Sequence, residues 1–116
     1  MRAVPVLIAG VVTLAVAQLL DLATFDVMVR RLGLEAEANP LVATLYDGYG
    51  LPVVAIAKVA LLALVTAIVA VLAHAAILAS ESTQRMMTAL IVGILAVGIA
   101  AGVVGGATNT AAIGLI

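Results

Sequence analysis

Three long apolar runs constrain this chain more than any other feature of it. They extend from about Ala3 to Val29, from about Leu51 to Ala79 and from about Met86 to Ile116. A hydrocarbon layer about 30 Å thick is crossed by about 20 helical residues at 1.5 Å of rise each, so every run is long enough to span it. Strands of a membrane barrel would alternate polar and apolar residues, and these runs do not. The chain is 66% hydrophobic, with 11 charged side chains (5 basic plus 6 acidic) in 116 residues, too little polar surface to cover a soluble core. The expected fold is therefore all-α. It is an integral membrane bundle of three transmembrane helices, one domain over residues 1–116, with a short interfacial helix in the first loop.

Composition also narrows the function. A net charge of -1 and three aromatic residues offer neither a basic patch nor a stacking platform, which argues against nucleic-acid binding. The absence of cysteine removes disulfides, thiol nucleophiles and thiolate metal sites. Met1-Arg2 followed by an apolar run and by Ala15-Val16-Ala17 has the look of a cleavable leader. The run continues to Val29, however, which favours a spanning helix.

Between the runs, Ser80-Glu81-Ser82-Thr83-Gln84-Arg85 reads as a short polar connection, making the second and third helices an antiparallel hairpin. The first connection is longer. Gly33, after Arg30-Arg31, suits a helix C-cap, and Asn39-Pro40 suits an N-cap with proline in the first turn. A short helix from Pro40 to about Asp47 is expected, closed by Gly48. Its apolar Leu41, Val42, Leu45 and Tyr46 would lie at the interface or tuck against the bundle, and Gly50-Leu51-Pro52 would start the second span. Arg2 and Arg85 on one side balance Arg30 and Arg31 on the other, so the positive-inside rule barely orients the protein. The expectation is an inner-membrane, multi-pass protein with a cytoplasmic N-terminus.

The segment from Gln18 to Lys58 holds five of the six acidic and three of the five basic residues. Counted at 1.5 Å per residue, Lys58 lies about 9 Å past Pro52, Asn109 about 10 Å from the end of the third run, and Asp21 about 14 Å before Arg30. All three depths are measured from one membrane face, so Asp21, Lys58 and Asn109 share a layer. An unpaired charge at such a depth costs on the order of 3 kcal/mol, which makes pairing of Asp21 with Lys58 the economical arrangement. Gln18 and Thr24 fall on the same face of the first helix. The alternative is that Lys58 snorkels to the interface while Asp21 meets a helix end or loop water. Asp26 and Arg30, four apart and nearer the surface, read as an exposed pair. His74, with no second histidine and no cysteine, reads as interfacial, and no metal or other cofactor is expected.

The third run carries Gly98-x-x-x-Gly102-x-x-x-Gly106 with Gly105 alongside, a rail along which another helix backbone can approach closely. Asn109, seven residues after Gly102, falls on that face. Ala63, Ala67 and Ala70 form a small-residue stripe on the second helix about 140° from Lys58. The second helix would thus answer the rail with small residues while offering Lys58 to one neighbour and the alanines to another.

Asp21-x-x-Thr24, the glycine-then-acidic loop from Gly33 to Glu37, the string Glu37-Ala38-Asn39-Pro40-Leu41 and the later Lys58 together resemble the DUF5658 family of small bacterial and archaeal membrane proteins. The pattern covers about residues 18 to 58. Asn109 resembles a polar position near the end of the family's last helix. Where family members often carry a second Gly or Thr, this chain has Ala23 and Leu34. The resemblance implies an architecture and a set of site residues (Asp21, Thr24, Glu37, Asn39, Lys58 and Asn109) without implying an activity. It also puts Glu37 at the mouth of the first loop, where two carboxylates would share the Lys58 ammonium.

Two functional expectations follow. One is a structural or accessory membrane subunit, docked on itself or in a larger complex through helix contacts within the lipid bilayer. The other is a homo-oligomeric proton- or cation-coupled carrier or channel that uses the same cluster. An enzyme is not expected, since no Ser-His-Asp or paired-Asp arrangement falls at one depth.

Overall fold

A computed structural model describes residues 3–33 and 40–114. Among these the structure is all-helical, with α1 Ala3–Leu32, α2 Pro40–Tyr49, α3 Leu51–Ala76 and α4 Glu81–Ala112. Helices α1, α3 and α4 are each long and apolar enough to cross a membrane. They lie side by side in a body measuring 52 × 30 × 19 Å.

The ends of the helices follow local chemistry more than hydropathy. Helix α1 runs past Val29 to include Arg30 and Arg31 in its last turn, where cations face the negative end of the helix dipole. It stops at Gly33, which adopts φ 85° and donates its N–H to the Val29 carbonyl at 2.9 Å. Helix α2 continues through Gly48 to Tyr49. The break comes instead at Gly50, whose φ of 82° and ψ of -176° are open to glycine and strained for any side chain. Pro52 sits in the first turn of α3, where its missing N–H breaks no helical hydrogen bond.

The polar stretch 80–85 is not a loop. Ser80 is the N-cap of α4, its hydroxyl accepting from the Thr83 N–H at 3.3 Å, and Arg85 donates to Glu81 four residues back at 2.8 Å. Polar residues that cap a helix read as a break in an apolar pattern although they begin the next element. The α3–α4 connection shrinks accordingly to residues 77–80. Gln84 ties it down by donating to the Ala76 carbonyl at 2.8 Å.

The core has apolar layers at its two ends. Leu14, Val69, Ile91 and Leu95 fill one. Phe25, Met28, Val29 and Val54 fill the other, with Val42, Leu45 and Tyr46 of α2 packed against them. Tyr46 meets Phe25 edge to face at 5.6 Å, a favoured geometry for aromatic pairs. Helix α2 thus folds back on the bundle through one face, while Leu41 points outward and is 67% exposed.

Candidate functional site: a polar layer between two apolar ones

About three turns of α1 separate Leu14 in the first apolar layer from Phe25 in the second, and Gln18, Asp21 and Thr24 lie between them. Those three residues recur at helical spacing on the inward face of α1. Lys58 reaches them from α3, its Nζ lying 2.6 Å from Asp21 Oδ2 and 3.4 Å from Gln18 Oε1. Asn109 reaches them from α4. Its Nδ2 donates to Asp21 Oδ1 at 3.1 Å, to the Asp21 carbonyl at 3.2 Å and to Thr24 Oγ1 at 3.2 Å. Thr24 in turn donates to the Leu20 carbonyl at 2.7 Å, which leaves its lone pairs facing Asn109.

The Asp21 carboxylate is therefore shared between two helices. One oxygen takes the ammonium of α3 and the other the amide of α4. Charge-assisted bonds of this kind are shorter and stronger than neutral ones, and the 2.6 Å contact is the shortest of the set. Gln18 adds a second three-helix link by accepting from Lys58 and donating to the Gly98 carbonyl at 2.9 Å. Asn109 is buried, at 6% exposure. The ion pair is less enclosed, with side chains 21% and 20% exposed for Lys58 and Asp21.

Close approach of α1 and α4 makes this layer possible. A Cβ at position 102 would lie 2.7 Å from the Ala17 carbonyl carbon and 2.8 Å from its oxygen, so the two backbones touch there. At position 105 a Cβ would strike Asp21 Oδ1 and come within 2.7 Å of Asp21 Cγ. Gly105 is the space in which the carboxylate turns between its two partners. The repeat of glycines at every fourth position points to 98, 102 and 106 and passes over 105, whose importance depends on where Asp21 projects.

The structure thus brings together Gln18, Asp21, Thr24, Lys58 and Asn109, and it lays Gly98, Gly102 and Gly106 against α1. Glu37 and Asn39 lie outside the described residues. Ala63, Ala67 and Ala70 do not meet the glycine rail within the chain. All three are exposed on the outer side of α3, and the glycine rail has taken Leu14, Ala17 and Leu20 of α1 as its neighbours instead. The reason is geometric, because a stripe about 140° from Lys58 turns away once Lys58 turns inward. Asp26 and Arg30 pair at 3.1 Å on the surface, Arg30 being 71% exposed. His74 is exposed near the end of α3. Among the described residues, no three His, Cys, Asp or Glu side chains stand together as a metal site.

Sequence comparison extends the likeness well beyond the first loop. Residues 12–105 match the family described as "Domain of unknown function (DUF5658)". The match takes in Gln18, Asp21, Thr24, Lys58 and the glycines from 93 to 105, and it stops short of Gly106 and Asn109. Neither a curated protein nor a solved structure matches the chain. With most of its length matched, including the residues that supply both members of the ion pair, the chain belongs to the DUF5658 family.

Proposed function

We propose that this is a multi-pass membrane protein with a structural or accessory role, in which α1 and α4 form a spine and the polar layer holds α3 in register against it. The observation that carries this reading is the division of one carboxylate between Lys58 of α3 and Asn109 of α4. Two apolar helices in lipid gain nothing by hydrophobic burial against each other, so packing and interhelical hydrogen bonds choose their register. A shared carboxylate supplies that choice for all three helices at once. In this reading α2 lies at the interface, the N-terminus and the α3–α4 turn face the cytoplasm across the inner membrane, and the outer face of α3 meets lipid, a second copy or a larger complex. No catalytic step is assigned to the chain.

One observation favours a second reading, an oligomeric proton- or cation-coupled carrier or channel. About a fifth of the ion pair is open at the protein surface, and ionisable groups within spanning segments commonly line transport routes. A single reconstitution separates the two. Liposomes containing wild type or Asp21→Asn are followed for flux driven by a pH gradient. Wild-type flux that disappears in the variant overturns the structural reading. No flux in either, with loss of the assembled protein in Gly102→Leu, upholds it.

A further inference from the structure

The partial exposure of Asp21 and Lys58 has a direction. Positions 94, 98, 101, 105, 108 and 112 of α4 are spaced by three and four and lie along one strip of the helix. Ile94 is half-buried against the layer that contains Val69 of α3, and Gly98 is half-buried as well. Further along, Ala101, Thr108 and Ala112 are exposed. Gly105, between them, lies directly beside the Asp21 carboxylate. Gly98 faces Leu14 of α1, so the strip is closed as far as Gly98 and open from Ala101 onward, with the ion pair beside Gly105 at the floor of the gap.

We propose that this gap between α3 and α4 is a water-filled vestibule leading from the membrane face where α3 begins to the Asp21–Lys58 pair, admitting water and small hydrated cations. The inference rests on the membrane-spanning reading. About a fifth of each side chain of the pair is exposed, and hydrocarbon offers no hydrogen bond to such a pair, whereas water does. Lys58 carries three N–H donors, two of which are engaged by Asp21 and Gln18. The exposed part of the strip bears no side chain larger than threonine, leaving room for solvent, and the Thr108 hydroxyl gives it a polar wall.

Because the chain contains no cysteine, single replacements can map the vestibule without background. Ala101→Cys and Val103→Cys are treated in native membranes with a small charged thiosulfonate. Val103 is itself 54% exposed but lies about 160° around α4 from Ala101. Ala101 is eleven residues before Ala112, the end of α4, and so about 17 Å deep, against about 14 Å for Val103. Depth alone makes Val103→Cys the more reactive. The vestibule reverses that order, since only a thiolate reacts and a thiol in hydrocarbon does not ionise. Ala101→Cys is expected to label about tenfold faster than Val103→Cys. Should Ala101→Cys fail to accumulate, Thr108→Cys compared with the adjacent exposed Ala107→Cys gives the same contrast at nearly equal depth. Labelling of the strip no faster than its controls overturns the vestibule. Alkaline carbonate extraction of the same membranes keeps the two readings distinct. Release of the protein overturns the membrane reading and the vestibule with it, while retention with slow labelling overturns the vestibule alone.

Discussion

At the scale of single residues, the Asp21–Lys58 pair is best examined by removing one partner and then both. Lys58→Met leaves a carboxylate facing an apolar side chain and is expected to cost on the order of 2–3 kcal/mol, less than for a sealed pair because a fifth of each side chain is exposed. Adding Asp21→Leu removes the stranded charge and should recover much of that loss. Thermal unfolding in detergent measures both, and a double variant as unstable as Lys58→Met would show that the pair does not act as a unit. The glycines of α4 invite a finer comparison. Gly102→Ala drives its methyl into the Ala17 backbone and should cost about 2 kcal/mol or more. Gly106→Ala meets nothing nearer than 3.7 Å and should stay within about 0.5 kcal/mol of wild type. Equal melting points for the two would contradict the close approach at position 102. In the sequence the two glycines are equivalent members of one motif, and they become distinct only once the opposing backbone is in place.

At the scale of elements, the short connections carry testable chemistry of their own. Ser80→Ala removes the acceptor for the Thr83 N–H at the start of α4, and the loss of an N-cap is typically about 1 kcal/mol. Gly50→Ala places a side chain at φ 82° and ψ -176°, at a cost of about 1–3 kcal/mol. The two variants should be separable by hydrogen exchange. Ser80→Ala should loosen the first turn of α4, whereas Gly50→Ala should loosen α2 and its contact with Phe25. Uniform loosening of the whole protein in both would argue against these local roles. Hydropathy locates the three long helices well and their ends less well, since Arg30, Arg31 and Glu81 to Arg85 are polar yet helical. The forces that close a helix are dipole, cap and backbone angle, and an apolar count senses none of them.

For the whole molecule, the arrangement of helices makes α1 and α4 the closest pair and sets the outer face of α3 free. Gly102→Leu should separate the spine and abolish a single melting transition. Ala67→Leu, on the exposed side of α3, should leave the melting point of the purified protein within the range of about 0.5 kcal/mol usual for surface changes. A destabilising Ala67→Leu would mean that α3 presents its alanine stripe to another chain even in the purified state. Cross-linking would then identify that chain.

Sequence alone was enough for the all-helical class, for three helices of membrane-crossing length and for the coincidence in depth of Asp21, Lys58 and Asn109. Length, hydropathy and rise per residue are properties of a chain read along its axis. Which helix faces which was decided only in three dimensions. The glycine rail could have received any small-residue surface, and Ala63, Ala67 and Ala70 look as suitable on paper as Leu14 and Ala17. Rotation of α3 is set by the Lys58 ammonium reaching Asp21, and that rotation turns the alanines outward. The roles of Gly105 as the space for a carboxylate and of Gln18 as a link between α3 and the Gly98 carbonyl likewise depend on side chains from different helices meeting. No periodicity within one helix records such a meeting.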